Sequence, residues 1–116
     1  MGAAQQMLLA GITPLSVTTS PTTIAASGSA STITSGNCVA TAVGGTPPYS
    51  YAWVLTAQTG NKTVVAVSPA SGTTAFRITT ATVVADEGIC NATVTATDSS
   101  LATANALAVP VDILRT

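Results

Sequence analysis

Two thiols, four carboxylates, a cluster of three aromatic rings and two Asn-x-Thr triplets are the groups of this chain with chemistry to offer. Histidine, the commonest general base at neutral pH and the commonest metal ligand, does not occur in it. Asp86-Glu87 is the only adjacent carboxylate pair, and its place at a corner between apolar stretches suits turn capping or a solvated pair better than acid–base work. Cys38 and Cys90 are too few for a zinc site made of cysteines alone. Neither has a cation nearby in sequence to lower its thiol pKa. No glycine-rich phosphate loop precedes a helix. The expectation is a protein that is not an enzyme, with no catalytic residue, cofactor or metal site.

Tyr49, Tyr51 and Trp53 recur at every second position. They make either a sugar-stacking platform or the inward face of a strand, and the alternation favours Trp53 as core, with Tyr49 near the turn left exposed. Asn61-Lys62-Thr63 and Asn91-Ala92-Thr93 match the glycosylation acceptor pattern. In a Thr-rich chain without a secretory signal they read as chance matches. Met7-Leu8-Leu9-Ala10 is too short for such a signal, and no Lys or Arg precedes it.

The elements that must position these groups follow from composition. The 116 residues suit one domain, since two separate cores would each be marginal. Net charge is −1 with three cations, too few to neutralise a run of phosphates or to bind a membrane surface as a polybasic anchor. No apolar run approaches the roughly 20 residues of a spanning helix. Thr supplies roughly a fifth of the chain, and Thr and Val together favour strands. Large apolar side chains are scarce, so the core must rest on Val, Ile, Leu and Ala around Trp53, Tyr51, Phe76, Ile78 and Val94. So weakly charged a surface hints at burial in an assembly.

Residues 1–13 read as an N-terminal arm with Met7, Leu8, Leu9 and Ile12 apolar, too short for a stable isolated helix. It is either an unstructured start or first edge strand, or a docking arm that buries these side chains against a partner. Residues 14–116 read as the folded domain. Leu15–Thr19 and Thr22–Ala26 form an edge strand broken at Pro21, and Asn37–Val43 a core strand with Cys38, Ala40 and Ala42 on one face. A turn at 44–48 leads into Tyr49–Leu55. Gly60-Asn61 predicts a turn across which Lys62–Val67 pairs back. Ala75–Thr79 points Phe76 and Ile78 inward. Ile89–Thr97 alternates most cleanly, with Cys90, Ala92, Val94 and Ala96 inward. A hairpin at Asp98-Ser99-Ser100 leads to a long final strand, Ala102–Leu114. About seven short strands between frequent turns is the pattern of an all-β antiparallel sandwich.

Gly44-Gly45-Thr46-Pro47-Pro48-Tyr49-Ser50-Tyr51-Ala52-Trp53 resembles the segment joining the second and third strands of immunoglobulin-like domains, including polycystic-kidney-disease-type repeats. Asp86-Glu87-Gly88-Ile89-Cys90-Asn91-Ala92 is similar to that family's Asp-x-Gly-x-Tyr-x-Cys approach to its sixth strand. The resemblance covers residues 14–114 and implies an immunoglobulin-like β-sandwich. It departs from the family at both cysteines. Cys90 stands at the corner-tyrosine position and Ala92 at the disulfide position, while Ala40 holds the other cysteine position and Cys38 lies two residues earlier. Equal displacements by one strand period keep both sulfurs inward and level, about 7 Å from the usual site. The resemblance therefore allows a Cys38–Cys90 disulfide, worth about 4 kcal/mol in the chain-entropy model. The alternative is two buried thiols, as a reducing compartment would leave them.

The chain also looks like small immunoglobulin-like modules of tailed-bacteriophage virions. That resemblance implies a non-enzymatic structural protein, a capsid decoration or tail-associated part made in the host cytoplasm. It would be anchored by its arm to other virion proteins and to copies of itself, and displayed toward cell-surface glycans. The alternative is a binding or spacer module of a bacterial surface adhesin, located at the cell surface. Neither reading involves nucleic acid or membrane insertion.

Overall fold

The computed structural model describes residues 13–116. The described chain is all-β, with strands β1 (Ser16–Ser20), β2 (Ile24–Gly28), β3 (Ile33–Thr34), β4 (Cys38–Val43), β5 (Ser50–Gly60), β6 (Val65–Ala66), β7 (Thr73–Thr74), β8 (Phe76–Ile78), β9 (Glu87–Thr97), β10 (Thr103–Asn105) and β11 (Val109–Arg115). Three pairing sets join them: β1-β4-β7, β3-β8-β6, and β10-β9-β11-β2 with β5 along the other edge of β9. Every pairing is antiparallel except β2 with β11.

The first two sets follow one another along the same two stretches of chain, with a one-residue shift of register between them. Cys38 lies opposite Thr74 and Ile33 opposite Ile78, so residues 33–39 and 73–78 run antiparallel, with irregularities at 35–37 and Ala75. Ser35 bridges one of them: its hydroxyl accepts the Phe76 N–H at 2.9 Å, and its own N–H donates to the Phe76 carbonyl at 2.7 Å. The strand order is then β1, β3/β4, β7/β8, β6 on one side and β2, β10/β11, β9, β5 on the other. This arrangement is compatible with a β-sandwich.

Alternation decides which side chains enter the core. Along β9, Gly88, Cys90, Ala92, Val94 and Ala96 are buried, and the residues between them are half-buried or exposed. β4 buries Cys38 and Ala40 and exposes Val39, Thr41 and Val43. Phe76, Ile78 and Val94 are fully buried, Trp53 is buried, and Tyr51 packs half-buried against the cluster. Trp53 of β5 and Phe76 of β8 join the two pairing systems directly, edge to face, with ring centroids 5.8 Å apart and planes at 77°, a geometry the ring quadrupoles favour.

Three expectations are corrected. The pieces before and after Pro21 are not one edge strand: β1 pairs with β4 and β2 with β11, so the chain changes sheets there. Gly60-Asn61 does not close a hairpin. After it, Val65–Ala66 pairs with β8 instead of β5, because the turn is tied to the start of β9 through Lys62 N–H on the Glu87 carbonyl at 2.9 Å. The Asn61 side-chain oxygen also accepts the Glu87 N–H at 2.8 Å. Finally, the last strand is split. Ala106 turns inward and donates its N–H to the Val94 carbonyl at 3.1 Å, and Leu107 is expelled into solvent.

Truncating the central ring tests this packing. Phe76→Ala should cost about 3–5 kcal/mol in urea unfolding, whereas Val54→Ala on the outer face of β5 should stay within about 0.5 kcal/mol.

Candidate functional site

Two clusters of loops, one at each end of the strands, hold the polar side chains that the core rejects. At one end the 44–48 turn, the 98–102 hairpin and the entering residues 13–15 meet around Asp98, a buried carboxylate. Its Oδ2 accepts the Thr46 N–H at 2.9 Å. Its Oδ1 accepts the Ser100 N–H at 3.0 Å, the Ser100 hydroxyl at 2.9 Å and the Ala102 N–H at 2.9 Å. The Thr46 N–H is the largest influence holding this carboxyl below its ordinary value, with Ser100 and Ala102 adding to it. The Thr46 carbonyl in turn accepts the Ser99 N–H and hydroxyl. Asp98 therefore staples two loops 52 residues apart in the chain.

The glycines of the turn are required by the same approach. Gly44 has φ +74°, and a Cβ there would lie 2.1 Å from the Pro14 carbonyl oxygen. Gly45 donates its N–H to the Thr13 carbonyl at 2.8 Å. Thr13 and Pro14 are thereby pinned against the turn where the chain enters the fold.

At the opposite end Asp86 is the organiser. Its Oδ2 accepts the Thr82 and Val83 N–H groups at 2.8 and 3.1 Å, and its Oδ1 the Asn61 amide at 2.6 Å. Lys62 Nζ lies 3.8 Å away and donates to the Thr80 carbonyl. These partners, the Val83 N–H foremost, hold the Asp86 carboxyl below its ordinary value. Arg115 closes this end by donating from Nη1 to the Ala81 carbonyl. Glu87 behaves differently: a hydrogen bond shared with Asp112 raises its pKa, and the repulsion between the two carboxylates adds to the effect. The adjacent pair Asp86-Glu87 thus divides into a buried turn organiser and a member of a surface pair.

Cys38 and Cys90 are both buried and both free, so the bridge allowed by the resemblance is not formed. The Cys38 thiol faces the Pro21 carbonyl at 3.6 Å, and burial raises the pKa of both. Trp53 Nε1 donates to the Ser71 carbonyl at 2.8 Å, so the indole is satisfied inside the fold. Tyr49 donates its hydroxyl to the Gly44 carbonyl at 2.6 Å. Asn61 uses both ends of its amide internally, leaving little freedom for a modification there. The arm residues Met7, Leu8, Leu9 and Ile12 lie outside the described residues. Among the described residues no group of three or more Cys, Asp or Glu side chains is placed to hold a metal ion.

Sequence reasoning missed Asp98, Asn61, Gln58 and Ser35 as organisers. Gln58 imitates a strand partner, accepting the Val64 N–H at 3.0 Å and donating to the Val64 carbonyl at 2.9 Å. The chain matches no protein-family model and no curated protein, and no solved structure matches it.

The depressed carboxyls set a sign for pH. Asp98 and Asp86 contribute stability that is present above the unfolded carboxylate value of about 3.9 and lost as pH falls through their lower folded values. Glu87 runs the other way, since acid relieves its repulsion. The melting temperature should therefore fall below about pH 4. In Asp98→Asn it should start several degrees lower and fall less steeply; an unchanged slope would contradict the staple. A thiol reagent at pH 8 should label Cys38 and Cys90 only when the chain is unfolded by denaturant; rapid labelling of the native chain would contradict their burial.

Proposed function

We propose that the chain is a non-enzymatic structural module with immunoglobulin-like topology, carried on the capsid or tail of a tailed-bacteriophage particle. The strand order supports the immunoglobulin-like part of this reading. In the immunoglobulin scheme the first, second, fifth and fourth strands form one sheet, and the third, sixth and seventh form the other. Here β1, β3/β4, β7/β8 and β6 take the first set in that order. β5, β9 and β10/β11 take the second, and β2 is the part of the first strand that crosses over.

The use of polar groups supports a scaffold. Asp98, Asp86, Asn61 and Gln58 are engaged in holding loops. The uncharged first twelve residues, with Met7, Leu8, Leu9 and Ile12, serve as the anchor to neighbouring virion proteins, while loops away from the anchor face outward toward the cell surface.

Deleting residues 1–12 should leave a domain with an unchanged melting temperature that no longer enters particles. Mass spectrometry of gradient-purified particles should find the full chain at a stoichiometry set by particle symmetry. Its absence from particles would overturn the reading.

A further inference from the structure

We infer that residues 13–28 are a shear anchor: a pull arriving through the chain ahead of Thr13, and resisted at the far end of the fold, is borne by two strand ladders loaded along their lengths. The domain is thereby a link that carries tension. The inference rests on the reading that the chain is anchored through its first twelve residues, and it needs no particular conformation of them.

The directions of the strands point to this. β1 is antiparallel to β4, and β4 ends at the 44–48 turn, so β1 starts at the Asp98 end and runs away from it. β2 is parallel to β11, and β11 ends beside Asp86, where the Arg115 N–H donates to the Asp86 carbonyl at 2.8 Å. Both strands of the N-terminal segment therefore run, one after the other, from the Asp98 end toward the Asp86 end. The exposed crossing at 21–23 puts the first in one sheet and the second in the other. Ser16–Ser20 pairs throughout with β4, and Ile24–Gly28 throughout with β11. Each strand also sends an apolar side chain into the core, Val17 from β1 and Ile24 from β2.

A pull on Thr13 away from the Asp86 end acts along both ladders. The hydrogen bonds of an antiparallel ladder lie perpendicular to the strands, and those of a parallel ladder slant across them. The load therefore falls on all the bonds of a ladder together. A sideways pull on the same strand end would open them one after another. Both ends of the segment are pinned as well. The Thr13 carbonyl accepts the Gly45 N–H at 2.8 Å, and the Gly28 carbonyl accepts the Thr116 N–H at 2.8 Å. The loops at the two ends of the load path are the ones that Asp98 and Asp86 hold.

Single-molecule pulling on the full chain tests this, with one handle ahead of Met1 and the other on an introduced cysteine; the native thiols are buried. Val84→Cys puts the second handle on the far corner. Leu101→Cys puts it on the 98–102 hairpin, which shares a hollow with Thr13 and Leu15. Both side chains are exposed. At one loading rate the unfolding force should be at least about twofold higher with Val84→Cys, because forced unfolding reads the barrier along the pulled direction. A smaller ratio overturns the inference. Thr103→Cys, exposed on the same hollow, is a second entry-end handle and should match Leu101→Cys; a force there equal to that of Val84→Cys also overturns it. Particle incorporation separates the two claims. A smaller ratio with intact incorporation removes the shear anchor alone, whereas absence from particles removes the virion reading and leaves the ratio standing.

Discussion

The fold depends on how a chain with one tryptophan and one phenylalanine fills the space between its sheets. β9 is the hub. It pairs with β5 along one edge and with β10 and β11 along the other, and turns Cys90, Ala92, Val94 and Ala96 inward. These small side chains leave room above them, and the edge-to-face contact of Trp53 with Phe76 occupies it. Each ring comes from a different pairing system, so the contact ties the systems together. Aromatic burial supplies more area per residue than the surrounding Val and Ala can.

With the middle held by apolar contacts, the ends are held by polar ones. Asp98 and Asp86 act at opposite ends by the same physics: a carboxylate withdrawn from water offers several acceptor sites to otherwise unpaired N–H groups. Asp98 joins sequence-distant loops, and Asp86 joins the 61–62 turn to the 82–86 corner. Gly44 and Gly45 let the entering chain approach so closely that Thr13 becomes part of the same cluster. These polar side chains are thus engaged in holding the geometry of the loops.

Much of this was legible in the residues. The alternation of β9 and β4, the inward Trp53 and the Phe76/Ile78 pair follow from the period of two. The broken strand at Pro21 was visible as a break, but not as a change of sheet, because both halves alternate alike and partner choice is non-local. The Gly60-Asn61 turn misled for a related reason: turn residues report a bend, and the bonds of Asn61 and Lys62 to Asp86 and Glu87 send the chain across. Asp98 stood out only as a hairpin residue, since its bond to Thr46 spans 52 residues. Exposure of Leu107 depends on the break at 106–108, which no local pattern announces.

If β9 is the hub, its amides open only when the whole domain does. Native-state hydrogen exchange of the full chain tests this most directly. The slowest amides should lie in Cys90–Ala96 and in the β5 and β11 segments bonded to them, sharing one opening free energy equal to that of global unfolding. Exchange of β9 at the rate of the loops, or at a free energy well below that of global unfolding, would contradict the account.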